Sequence, residues 1–176
     1  MSDEEKYVHD REQEKIDKIR RDRLMAAIQA EEKEGIAAIL DSTEAIAAEA
    51  LALGFDKKTV RILHLVPLLQ VAWTDGIVDE DEKVAILTAA SKHGIQEGSE
   101  AFEFLSLLMS HQPSNSFFAR TQSVIANLLE DNDLEKEEIL KDIESVAQAS
   151  GGLFGLGKVS AGERELITEL KSILKL

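Results

Sequence analysis

The chain has 176 residues, 34 of them acidic and 20 basic, with a net charge of −14 and no cysteine. That length accommodates one domain plus an extension, and the lack of thiols excludes disulfides, thiolate metal sites and cysteine nucleophiles and suits a reducing cytoplasm. The negative charge repels phosphate backbones and anionic lipid, so nucleic acid is excluded as a partner while cations and basic protein surfaces are favoured.

MSDEEKYVHD contains no apolar run of the signal-peptide kind, and even Val60 to Trp73 is interrupted by Arg61, His64 and Gln70. No segment reaches the roughly 20 apolar residues of a membrane span, and a cytoplasmic protein is expected. Residues 3 to 34 are nearly all charge, with eleven acidic and eight basic side chains. Pairs such as Glu14 with Lys18 support a helix. Its apolar residues, Tyr7, Val8, Ile16, Ile19, Leu24, Met25 and Ile28, do not sustain heptads, so residues 1–34 read as a charged helical arm and not as a coiled coil.

From Gly35 the composition turns apolar and alanine-rich, and a domain of residues 35–176 is expected to begin there. Asp41-Ser42 offers a cap for a helix over Thr43 to Leu53 that Gly54 would end. Asp56 would cap the next, which runs through Val60, Ile62 and Leu63. Pro67 inside it predicts either a kink or a restart near His64.

Residues His64 to Gly94 read as a helical hairpin. Leu65, Val66, Leu68, Leu69, Val71, Ala72 and Trp73 lead to Asp75-Gly76, where glycine provides the left-handed stop. Asp79-x-x-Glu82 has capping-box spacing and starts the second helix, through Val84, Ala85, Ile86, Leu87, Ala89 and Ala90. Asp75, Asp79, Glu80, Asp81 and Glu82 are thereby crowded into one turn. The sequence AWTDGIVDEDE between two apolar helices, the second closed by KHGI, resembles the tellurite-resistance TerB-like family, whose Asp-Gly-x-x-x-x-x-Glu turn corresponds to Asp75, Gly76 and Glu82. The resemblance is clearest over residues 60 to 95 and weaker in the C-terminal quarter. It implies an all-helical, non-enzymatic stress-response module associated with divalent metal and with larger, sometimes membrane-associated, assemblies.

Three further helical segments follow. Ser99 to Met109 has apolar residues on more than one face, which predicts central burial. Asn115 or Ser116 opens a helix to Leu129, and Asp131-Asn132-Asp133 separates it from Leu134 to Ala149, which carries Ile139, Ile143 and Val146. After the glycine-rich GGLFGLGK, Ser160-x-x-Glu163 is a second capping box before a helix to Leu174. Gly157, Val159, Ser160, Glu163 and Ile167 fall 81 residues after Gly76, Val78, Asp79, Glu82 and Ile86. Two copies of one unit, or two independently capped helices, both account for this spacing. Leu156 stands where a second Asp75 would be.

Most chemical motifs fail on spacing. Gly152-x-x-x-x-Gly157-Lys158 lacks the Ser or Thr of a P-loop, because Val159 follows, and no buried strand precedes it. Leu153 and Phe154 are expected to tuck onto the core. Loops starting at Asp79 or Asp131 lack the EF-hand glycine at position 6. His9, His64, His93 and His111 show no paired spacing, which leaves no zinc hydrolase signature. The acidic turn remains, with two readings. Asp79 to Glu82 suit the positive end of a helix as first-turn acids. Alternatively, Asp75, Asp79, Asp81 and Glu82, with Glu163 as a weaker counterpart, offer hard oxygen ligands to calcium, magnesium or manganese. The expectation is an all-α bundle built on helical hairpins, acting as a TerB-like interaction module with a protein partner. The alternative is a divalent-cation sensor working through the Asp75–Glu82 turn.

Overall fold

The computed structural model describes residues 3–130, 133–149 and 159–175, so the glycine-rich 150–158 stretch, with Leu153, Phe154, Leu156 and Gly157, and the Asp131-Asn132 pair lie outside the described residues. All regular structure among the described residues is helical, as expected: α1 (Asp3–Ile39), α2 (Glu44–Ala52), α3 (Val66–Ala72), α4 (Glu80–Lys92), α5 (Glu100–Ser110), α6 (Asn115–Leu128), α7 (Asp133–Ala149) and α8 (Ala161–Leu174). Short 3-10 segments cover Val60–Leu65 and Trp73–Asp75. No described helix is long and apolar enough to cross a membrane.

The centre is the short α3. Val66, Pro67, Leu68, Leu69, Val71 and Ala72 are all buried, and the helix packs against α4, α6, α7 and α8. A helix apolar all round belongs inside. Pro67 sits in its first turn, where no intrahelical partner awaits an N–H, so the chain runs as a 3-10 turn to Leu65 and restarts as α-helix at Val66. Of the two expectations for Pro67, the restart is the one found. Around α3 pack Ile86 of α4, Ile125 of α6, Ile139 and Ile143 of α7 and Leu170 of α8, each at most 1 % exposed.

Two local expectations need correction, on the cap of α2 and on α5. Helix α1 runs without a break through Gly35 and delivers the fully buried Ile36. A Cβ on Gly35 would stand 3.2 Å from Lys57 Cδ, so the glycine lets the Lys57 stem cross the helix and its ammonium reach Glu31 (2.9 Å) and Glu32 (3.2 Å). The cap of α2 is Thr43, whose hydroxyl accepts the Ile46 amide (3.4 Å), while Asp41 takes a left-handed φ of 46°. Finally, α5 is peripheral, with Leu107 52 % exposed and Ala101, Leu105, Leu108 and Met109 forming its buried side.

Candidate functional site

The turn after α3 is built by hydrogen bonds that the sequence specifies. Gly76 adopts φ 90°, and its amide donates to the Trp73 carbonyl (3.1 Å). A residue with a Cβ is strained there. Asp75 Oδ1 accepts the Ile77 amide (3.2 Å), which closes a local Asx turn. Trp73 anchors the turn from inside, donating its indole N–H to the Leu108 carbonyl (3.0 Å). At the start of α4, the Glu82 amide donates to Asp79 Oδ1 (2.8 Å) and the Asp79 amide to Glu82 Oε2 (2.9 Å), a complete capping box.

The same arrangement recurs at α8. The Glu163 amide donates to Ser160 Oγ (3.1 Å), and the Ser160 amide donates to Glu163 Oε2 (2.6 Å). The two boxes meet in space. Gly162, in the first turn of α8, lies against the acidic turn so closely that a Cβ would stand 3.1 Å from Thr74 Cγ2. Between the turns is a cavity of about 110 Å³ lined by Val71, Ala72, Thr74, Asp75, Glu82, Ser160 and Glu163. The 81-residue spacing therefore relates two caps that face one cavity.

Of the sequence candidates, the cavity gathers Asp75, Glu82 and Glu163. Glu82 and Glu163 are 3 % and 5 % exposed, whereas Asp75 is exposed. Asp79 and Asp81 do not line it: Asp79 is engaged in capping, and Asp81 is exposed on the first turn of α4. Burial pushes the Glu82 carboxyl up to about 7, against the Asp79 amide, which favours the ionised form, and the negative charges of Asp79, Asp75 and Glu163 add to the rise. Among the described residues, no group of three or more His, Cys, Asp or Glu side chains is disposed to hold a metal ion as it stands.

A second cluster of ionisable groups escaped sequence reasoning. His64 and His93, 29 residues apart, stack with ring centroids 6.3 Å apart and planes inclined by 15°. Each meets a carboxylate of α7, His64 Nδ1 with Glu135 Oε1 (3.2 Å) and His93 Nε2 with Asp142 Oδ2 (3.2 Å). Asp142, 5 % exposed, also accepts from Lys92 Nζ (3.1 Å). The one available signal was the position of His93 at the end of α4, which pointed only to the helix dipole.

No protein-family model matches this chain, and no curated protein or solved structure is significantly similar to it.

Proposed function

We propose that the chain is a non-enzymatic, cytoplasmic interaction module of the TerB-like kind, serving a stress response, and that α1 is the element through which it engages a protein partner. The observation that carries this reading is α1 itself. Its 37 residues place Tyr7, Val8, Ile16, Ile19, Leu24, Met25 and Ile28 at 44 to 62 % exposure, away from the core. Ordering so long a helix in water is costly unless something offsets it, and a bound protein would do so. The test is co-purification from native cytoplasm with the full chain and with a chain lacking residues 1–28. A partner retained by the full chain and lost by the shortened one supports the reading, whereas identical partner sets overturn it.

A second reading, a divalent-cation sensor, is favoured by the convergence of Asp75, Glu82 and Glu163 on one cavity. Each buried glutamate gives one oxygen to its own cap, which makes that oxygen the poorer ligand for an ion. Calcium, magnesium or manganese would then offset the repulsion that Glu82 experiences. At an ion concentration about a hundred times the dissociation constant, mass action contributes about 2.7 kcal/mol. For a chain of this size the melting temperature should rise by roughly 5 to 10 °C. Asp75→Asn should keep the Ile77 hydrogen bond and lose most of that shift. Equal shifts in wild type and Asp75→Asn, measured in thermal melts, would sink this reading.

A further inference from the structure

From Tyr7 to Ala30, α1 runs about 36 Å with its side chains exposed, Asp17 alone being partly covered. Within that length Glu12, Ile16, Ile19, Arg23 and Ala26 recur at alternating intervals of four and three, so they share one side of the helix. Lys15 and Asp22 lie together along one flank of that stripe. We propose that the stripe pairs with the same stripe on a second copy of the chain, antiparallel and symmetric about the Asp17–Lys18 bond. This rests on the reading of α1 as the partner-binding element, and it names the partner.

Charge selects both the occupant and the direction. In the antiparallel register Ile16 meets the partner's Ile19, Glu12 meets the partner's Arg23 and Lys15 meets the partner's Asp22, each contact occurring twice by symmetry. In a parallel pair Glu12 would face Glu12 and Arg23 would face Arg23, so like charges would meet on the stripe. Residues 12–17 carry three acidic side chains and one basic, whereas residues 18–23 carry four basic and one acidic. Antiparallel pairing lays the basic half of each arm on the acidic half of the other. A single helix cannot match these charges itself, because Glu12 and Arg23 stand about 16 Å apart along its axis. Among the described residues of this length, the ion pair formed is Arg20 with Asp17, at 3.8 Å, and Glu12, Lys15, Asp22 and Arg23 have none in their own chain. Pairing also covers Ile16 and Ile19, about half exposed in the single chain. The apolar stripe is short, so the ionic contacts fix register and direction. The net charge of −14 does not forbid the pair. The two bodies begin near Glu31, about 40 Å apart along the paired arms, well beyond the screening length of about 8 Å at physiological salt.

Light-scattering mass measurement on the purified full chain tests the pairing. At about 100 μM and low salt the mass should be twice the 19.4 kDa of one chain, and it should fall toward the single-chain value as salt rises from about 0.05 to 0.5 M. Glu12→Arg and Arg23→Glu each put like charges at two symmetric contacts and should raise the dissociation constant about tenfold or more. Both positions are exposed, so neither change disturbs the core. Mixed one to one, the two variants should pair with each other about as tightly as the wild type pairs with itself, because every altered contact is again between opposite charges. A single-chain mass for the wild type at low salt overturns the proposal, and so does a dimer that both single variants form as readily as the wild type. A chain that is monomeric alone, yet retains a different protein through α1 in the co-purification, overturns self-pairing and leaves the reading of α1 standing, so the two failures are told apart.

Discussion

Glu82 has two roles that oppose each other. Its carboxylate completes the cap of α4, and its burial beside Asp79, Asp75 and Glu163 disfavours the charge that makes it a good acceptor. Because the folded value, about 7, lies above the usual one, the protonated form contributes stability that is fully present below about pH 4.5 and lost as pH rises through 7. Glu82→Gln keeps an oxygen for the Asp79 amide and removes the titration. It should therefore stabilise the fold at pH 8 by on the order of 1 to 2 kcal/mol, after discounting for screening, and leave it little changed at pH 5. Urea unfolding at the two pH values measures this, and an equal effect at both would contradict the assignment. The Asp79–Glu82 and Ser160–Glu163 boxes were legible in the sequence because a cap is a local object of four residues. That both glutamates are buried, and face one cavity, was not legible, since it depends on where α8 docks. The same limit hid His64 and His93, whose contact is made where α4 packs on the 3-10 turn before α3 and has no sequence period.

Among the elements, α1 spans the change from charged to apolar composition at Gly35. The helix continues to Ile39, and its last turn delivers Ile36 to the core. Helix α1 packs on α2 and buries Ile36, while Lys57 pins Glu31 and Glu32 one turn earlier. Two truncations should consequently behave differently. Removing residues 1–28 should lower the melting temperature by only a few degrees, in keeping with a loss of about 1 kcal/mol. Removing residues 1–39 also deletes Ile36 and should cost at least the 2 to 5 kcal/mol typical of emptying a core isoleucine site. Thermal melts of both chains check this, and similar losses would mean that the exposed part of α1 is structural. Helix α5 is where the apolar pattern misled. Its Phe102, Phe104 and Leu107 suggested all-round burial, but Phe102 and Phe104 are only partly buried and Leu107 faces outward. Phe104 meets Phe55 edge-on at 5.7 Å, so an aromatic contact accounts for part of that width.

At the level of the whole molecule, the all-α class followed from helical periodicity and caps throughout, while the central place of α3 did not. Seven residues with a proline look like a weak helix in isolation, and only packing on four neighbours explains their burial. The net charge of −14 also acts globally. Raising monovalent salt from about 0.01 to 0.15 M shortens the screening length from about 30 to 8 Å and should raise the melting temperature by a few degrees. Wild type and Asp75→Asn should gain equally, which gives the baseline for any divalent effect; unequal gains would show that monovalent ions also act locally at the turn. The pairing of the two capping boxes has a consequence for synthesis on the ribosome. Glu82 leaves the peptidyl-transferase centre 81 residues ahead of Glu163, an interval of about 4 to 16 s at typical elongation rates. During that interval the acidic turn lacks its α8 lid, so this face of the nascent chain is completed only once α8 has followed.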